Sequence, residues 1–145
     1  AKPVPVNFAA LNNPRRDMVL VAAAGPAANM AMAIAAALLL HLAPMFPPVP
    51  ADWLTKNLNN ALVINVLLAV FNMLPIPPLD GGRVAVGLLP DWIAFPLARL
   101  ERVGIFIVLG VLILGPAVGI DLFRSVLLPV VSFLIDLIAV LTGHF

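Results

Sequence analysis

Long apolar runs, separated by prolines, glycines and charged residues, dominate the pattern along the chain. Almost unbroken apolar sequence fills four segments, at residues 19–42, 58–74, 103–118 and 126–141. At about 1.5 Å per helical residue, the first run is long enough to cross a hydrocarbon core of roughly 30 Å. The pattern predicts an all-α integral membrane protein with about four transmembrane helices.

The segments between these runs contain helix-breaking residues. Several prolines lie within residues 43–56, so we expect a connection at the membrane surface there. The second run ends in Pro-Ile-Pro-Pro-Leu-Asp-Gly-Gly (residues 75–82). Proline lacks a backbone donor and glycine favours unusual dihedral angles, so this stretch is not expected to be regular helix. Residues 84–102 mix charged and apolar side chains and are expected to lie at the membrane interface.

Composition supports a membrane environment and excludes other classes. The chain is 63% hydrophobic and 10% charged, whereas about a quarter of the residues in soluble domains are charged. The net charge of +1 and the dispersed basic residues argue against nucleic-acid binding. The chain has no cysteine, so a protein-bound metal must use His, Asp or Glu. We therefore expect the lipid bilayer, and no nucleic acid, as a partner.

Basic residues near the ends of the runs suggest an orientation. If the N-terminus is cytoplasmic, most of the basic residues lie inside, and only Lys56 and Arg124 lie outside. Residues 1–18 then form an extended cytoplasmic lead-in. Four crossings also return the C-terminus to the cytoplasm and put Asp80 at the cytoplasmic end of the second span.

Asp80 is the most informative polar residue. On this prediction it follows the C-terminal end of a membrane helix, where the partial negative charge of the helix dipole disfavours a carboxylate without a nearby cation. Arg83 could supply that cation in an interfacial ion pair, and a bound metal is the alternative. Spacing alone leaves both open.

Two asparagines lie within apolar runs, where an amide needs a hydrogen-bond partner. Asn72 could bond the carbonyls freed by Pro75 and Pro77, or it could hold a substrate. Asn29 follows Gly25, which permits close helix approach, so Asn29 could join neighbouring helices.

Two motifs together make a family resemblance. The segment FNMLPIPPLDGGR (residues 71–83) resembles the N-x-x-P-x-P-x-L-D-G signature of site-2 proteases, the M50 family of intramembrane zinc metallopeptidases. Residues 25–29, Gly-Pro-Ala-Ala-Asn, resemble the G-P-x-x-N motif of the preceding span. The motifs occur in the family's order, and the resemblance extends to about Arg83. Residues 1–145 are accordingly interpreted as part of a single membrane-embedded peptidase domain.

The resemblance implies a chemistry and a role for each motif residue. Asp80 becomes the third ligand of a Zn²⁺ ion, Asn72 orients the substrate or the developing oxyanion, and Asn29 lies close to the active-site helices. Two histidines complete such a site and leave a position for the attacking water. The implied activity is that of a metalloendopeptidase that cuts transmembrane segments of membrane-tethered proteins. The implied location is the inner or plasma membrane of a prokaryote.

The chain departs from the family because it lacks the H-E-x-x-H helix, which supplies two zinc ligands and a general base. Its histidines are His41, expected at the far end of the first span, and His144, beside the C-terminus. Neither is interpreted as a zinc ligand. We expect the missing helix to lie upstream in the complete protein and this fragment alone to be inactive.

Two alternatives stay open from the sequence. Residues 2–7, Lys-Pro-Val-Pro-Val-Asn, could form an edge strand that pairs with an unwound substrate, or a simple extended linker. The whole chain could also be a non-catalytic membrane scaffold or a cation-binding module that keeps the same fold. An upstream helix without the two histidines would favour the scaffold.

Overall fold

A computed structural model describes residues 14–119 and 121–143, and every regular element in that part of the chain is helical. The six α-helices are α1 (Pro14–Leu40), α2 (Pro48–Asn72), α3 (Asp80–Leu88), α4 (Asp91–Arg99), α5 (Gly104–Leu114) and α6 (Leu128–Thr142). Short 3₁₀ turns lie at Ala43–Met45, Leu100–Arg102 and Gly115–Val118, and a π-helical turn, Phe123–Leu127, leads into α6. The all-α prediction is confirmed.

Three helical segments in the described part are long and apolar enough to cross a membrane: Arg15–Met45, Pro48–Asn72 and Phe123–Thr142. The predicted span at residues 103–118 corresponds to a shorter apolar helix, Gly104–Val118. At 1.5 Å per residue it is roughly 22 Å long, which is less than the thickness of the hydrocarbon core. The structure therefore supports three crossings and does not confirm the predicted fourth.

Helix α5 packs beside the segment that follows α2. Gly104, its first residue, packs against the backbone of Pro77. After α5, a short connection leads to the π-helical turn, where Leu127 is buried together with Leu74 and Val108. The chain thus returns close to the level from which α5 started.

The core of the bundle joins α1, α2 and α6. Small side chains from α1 meet branched side chains from the other two helices, which lets the helix backbones approach closely. The buried cluster consists of Ala33, Ala36, Ala37, Leu62, Val66, Val131 and Ile138. These three helices therefore form the scaffold on which the shorter helices rest.

A contact between two helix ends fixes the direction of α6. His41, just after α1, donates a hydrogen bond from Nε2 to the carbonyl oxygen of Thr142, the last residue of α6, at 2.7 Å. Helices α1 and α6 therefore run parallel and end together, at what we term the His41 end. The opposite end, which holds the start of α1 and helices α3 and α4, is termed the Asp80 end.

This direction differs from the one that four crossings predict. Pro14 and Thr142 lie at opposite ends of the bundle, whereas four crossings bring both chain termini to one side. Arg124 was expected on the same side as Lys56. Its π-helical turn instead lies beside the end of α2, at the Asp80 end.

Two helices begin earlier than the sequence predicted. Helix α2 starts at Pro48, and Pro50 also lies in its first turn, where a missing N–H removes no intrahelical hydrogen bond. The connection predicted at residues 43–56 is therefore much shorter. Helix α1 starts at Pro14, within the predicted extended lead-in. The rest of that lead-in, including the possible edge strand at residues 2–7, lies outside the described residues.

Candidate functional site

Asp80 is the first residue of α3. The non-helical segment predicted after the second span is confirmed at residues 75–79, but residues 80–82 form the first turn of a new helix. Leu79 is extended, with φ −65° and ψ 155°, and so separates the prolines from α3. The prolines end α2, and the chain can resume helical geometry once it has passed them.

Two glycines allow α3 to pack directly on the backbone that precedes it. A Cβ atom on Gly81 would overlap the carbonyl group of Met73, and one on Gly82 would overlap the backbone between Ile76 and Pro77. Both glycines are buried. The first turn of α3 is therefore held against the end of α2, and this packing fixes the position of Asp80.

The electrostatic setting of Asp80 differs from the prediction. The sequence placed its carboxylate at the negative end of a membrane helix, where it would require a cation. In the structure Asp80 lies at the N-terminus of α3, where the unpaired N–H groups and the helix dipole favour a negative charge. The new helix thus removes the electrostatic reason for expecting a cation at this position.

Arg83 forms an ion pair with Glu101 and not with Asp80. Its Nη2 donates to Oε1 of Glu101 at 2.8 Å, which joins α3 to the 3₁₀ turn after α4. Among residues 14–119 and 121–143, no basic side chain forms an ion pair with Asp80. The carboxylate is therefore available to another ligand.

Gly25 of α1 is the close neighbour of the Asp80 carboxylate. A Cβ atom built on Gly25 would lie 2.9 Å from Oδ2 and 3.8 Å from Cγ of Asp80. The glycine of the G-P-x-x-N motif and the aspartate of the L-D-G motif thus face each other. The sequence alone suggests only a helix-packing role for Gly25, although the paired order of the two motifs is a signal that they meet.

The two asparagines lie near this contact. Asn72 is the last residue of α2, and Asn29 lies one helical turn after Gly25; both are half-buried. Within the part of the chain that the structure describes, neither amide forms a side-chain hydrogen bond. Their roles toward a substrate therefore stay predictions.

The described residues provide one candidate metal ligand and not a complete site. They contain no group of three His, Cys, Asp or Glu side chains that could hold a metal ion. His41 lies at the other end of α1, roughly 24 Å along the helix from Gly25. His144 lies outside the described residues. Catalytic zinc sites use three protein ligands, so Asp80 can fit such a site only with ligands from elsewhere.

An apolar cleft of about 420 Å³ lies between α1, α2 and α6, next to the two motifs. Pro26 and Met73, neighbours of Gly25 and Asn72, are among its lining residues. The remaining lining residues are Ala27, Met30, Ala69, Val70, Leu74, Val126, Leu127, Val130 and Leu134. A cleft of this composition can hold apolar side chains or acyl chains.

Comparison with known proteins identifies the family. The model of peptidase family M50 matches residues 48–115, which include the segment at residues 71–83. A Bacillus subtilis (strain 168) protein named "Putative zinc metalloprotease YwhC" is 35% identical over 120 residues, covering 80% of this chain and 54% of that protein. The chain thus spans about half the length of the curated relative it matches. No solved structure gives a significant match. The chain belongs to peptidase family M50, as its two motifs predicted.

Proposed function

We propose that this chain is part of a zinc-dependent intramembrane protease and that Asp80 supplies the third zinc ligand. The observation that carries the proposal is the position of the Asp80 carboxylate, 2.9 Å from a Cβ position on Gly25 and without an ion-pair partner among the described residues. Membership of family M50 and the metalloprotease name of the relative support it.

The remaining two ligands come, in this proposal, from an H-E-x-x-H helix elsewhere in the same protein. A zinc ion in such a site polarises the scissile carbonyl and makes a bound water nucleophilic near neutral pH. This chain contributes the carboxylate and holds it in one orientation, because the first turn of α3 is packed on backbone. Alone it lacks the histidines and the general base, so we propose that it is inactive.

Asn72 and Asn29 are proposed to hold the substrate. Asn72 stands where α2 gives way to the non-helical segment, so its amide can bond an unwound peptide backbone there. Asn29 lies on α1 one turn from Gly25. An unwound substrate exposes peptide groups that need partners inside the bilayer, and side-chain amides can both donate and accept.

The substrate is proposed to be a transmembrane segment of another protein. Three helices long and apolar enough to cross a membrane support a bilayer location, and the cleft beside the motifs is lined only by apolar residues. Among the described residues, every arginine lies at the Asp80 end, whereas Lys56 lies at the other. The positive-inside rule therefore supports a cytoplasmic Asp80 end. The membrane that we propose is the inner or plasma membrane of a prokaryote.

The test compares two aspartates in the protein extended to include its upstream region. Asp80→Asn removes the proposed ligand, and Asp136→Asn makes the same change at an exposed position in α6. Zinc content and cleavage of a model transmembrane substrate are measured in detergent. We expect Asp80→Asn to lose bound zinc and at least a hundredfold in cleavage. Asp136→Asn should match the wild type.

Two results would overturn parts of the proposal. If Asp80→Asn keeps its zinc and loses only cleavage, Asp80 acts on the substrate and is not a ligand. If the extended wild-type protein neither holds zinc nor cuts, the chain is part of a non-catalytic membrane scaffold.

A further inference from the structure

One face of α4 combines exposed aromatic and basic side chains. Trp92 and Phe95 are 76% and 65% exposed, and Arg99 and Arg102 are also exposed. Their spacing of three, four and three residues puts them on one side of α4 and of the 3₁₀ turn that continues it. We term these four residues the α4 face.

Two shallow grooves lie along α4 and differ in character. Phe95, Arg99 and Arg102 line a cleft of about 770 Å³. Trp92 and Leu100 belong to a second groove of about 430 Å³, whose other lining residues are also apolar. A cationic cleft beside an apolar groove matches the two parts of an amphiphile, a charged headgroup and an acyl chain.

The positive charge of the α4 face is uncompensated. Arg99 and Arg102 form no ion pair within the described ranges. Glu101 shares their cleft, but its carboxylate is bound by Arg83 at 2.8 Å. Asp91, at the start of α4, is bound by Arg15 at 2.6 Å. The acidic groups near the face therefore have partners of their own, and the two arginines remain available to an anion.

Contacts with α1 place the α4 face at the membrane surface. The Arg15–Asp91 ion pair joins the start of α4 to the first turn of α1. The apolar segment long enough to cross the membrane also begins at Arg15. The α4 face thus lies where the hydrocarbon core gives way to headgroups, a level favoured by tryptophan and by arginines whose stems lie along apolar groups.

We propose that the α4 face binds the headgroup of an anionic phospholipid. Arg99 and Arg102 bind the lipid phosphate and its negatively charged headgroup, because guanidinium groups bind such oxygens in a charge-assisted, bidentate manner. Trp92 and Phe95 lie against the glycerol and upper acyl region. A zwitterionic lipid offers the same phosphate but adds a cation, so its attraction to the face is weaker.

Trp92 provides a direct reporter for this proposal. The chain contains two tryptophans, and Trp53, 65% exposed near the start of α2, lies at the His41 end as an internal reference. The protein is reconstituted in bilayers of phosphatidylcholine and phosphatidylglycerol in which one or the other lipid carries brominated chains. Fluorescence quenching gives the relative binding constant of the two lipids at each tryptophan, with Trp92→Phe and Trp53→Phe variants assigning the signals.

We expect phosphatidylglycerol to quench Trp92 with a relative binding constant on the order of tenfold above that of phosphatidylcholine, and Trp53 to show no preference. The double substitution Arg99→Gln with Arg102→Gln should abolish the preference at Trp92. The control Arg124→Gln removes an exposed arginine at the same end of the bundle but outside the α4 face. It should leave the lipid preference at Trp92 unchanged. Quenching at Trp53 reports whether each variant remains inserted and folded.

Three results would overturn the proposal. Equal quenching of Trp92 by the two lipids would show that the face does not select charge. If Arg124→Gln lost the phosphatidylglycerol preference at Trp92 as fully as the double substitution, general surface charge, and not the α4 face, would attract the lipid. A Trp92 that neither lipid quenches would mean that protein covers the face.

Discussion

The carboxylate of Asp80 in α3 lies against the backbone of Gly25 in α1, closely enough that a side chain at position 25 would displace it. A methyl group there would lie 2.9 Å from Oδ2, whereas ordinary van der Waals contacts begin at 3.4 Å. The absence of a side chain at one motif thus sets the position of the candidate ligand in the other.

Substitution of Gly25 by alanine should impair zinc binding without unfolding the protein. The added methyl group moves the carboxylate of Asp80, and disturbing the support of a metal ligand typically lowers affinity by about 10- to 100-fold. Alanine is also the better helix former by about 1 kcal/mol, so α1 should not weaken. Chelator competition on the upstream-extended protein measures the affinity.

Gly110→Ala is the matched control, because an added Cβ there meets nothing within 4 Å. It should leave the zinc affinity at the wild-type value. A Gly25→Ala protein with unchanged zinc affinity would mean that the carboxylate can move aside at no cost, and the proposed coupling of the two motifs would be wrong.

Gly104→Ala should destabilise the protein. Its Cβ would overlap the carbonyl oxygen of Pro77 and lie 3.3 Å from Cδ of Pro78, and backbone atoms cannot move aside as a flexible side chain can. We expect a loss of about 1–3 kcal/mol in the free energy of unfolding, typical of overpacking. Thermal unfolding in detergent compares it with Gly110→Ala in the same helix. Equal midpoints for the two variants would show that α5 is not packed on the proline segment.

A double-mutant cycle should identify the partner of Arg83. The Arg83–Glu101 pair is 2.8 Å long, with side chains 40% and 50% exposed, so its coupling energy should be about 0.2–1 kcal/mol. Arg83→Gln and Glu101→Gln, alone and combined, measure it by unfolding in detergent. The corresponding cycle with Asp80→Asn should give a smaller coupling energy. A larger value with Asp80 would restore the interfacial ion pair that the sequence left open.

Cysteine labelling should distinguish three crossings from four. The chain has no native cysteine, so Arg16→Cys, Arg102→Cys, Val49→Cys and Leu141→Cys each introduce a single reactive site at an exposed position. In sealed vesicles, positions 16 and 102 should react with a membrane-impermeant maleimide from one side. Positions 49 and 141 should react from the other side. Labelling of positions 16 and 141 from the same side would support an even number of crossings.

The amino-acid sequence predicted the features that depend on local composition. The apolar runs identified the three helices long enough to cross a membrane, together with a fourth span that is not confirmed, and the prolines after residue 74 identified the break that follows α2. The polar residues of the two motifs also led to the correct family. Such features follow from the absence of backbone donors or from the cost of burying polar groups, and both can be judged from a short segment.

Features that depend on distant contacts could not be predicted in the same way. Nothing in the residues around Arg83 shows that Glu101 lies opposite it, because the turn between α3 and α4 decides that pairing. The sequence predicts that Gly81 and Gly82 break the helix, so it places Asp80 after the negative, C-terminal end of α2. In the structure Asp80 lies at the positive, N-terminal end of α3. The two glycines instead allow α3 to pack on the preceding backbone.

The path of α5 also gives the molecule an asymmetric cross-section. Three helices are long enough to pass through the whole bilayer, whereas α5 is shorter and packs at the Asp80 end. In a bilayer, this arrangement displaces more lipid from the leaflet at the Asp80 end than from the other leaflet. A bilayer with leaflets of equal area must curve, or redistribute its lipids, to accommodate it.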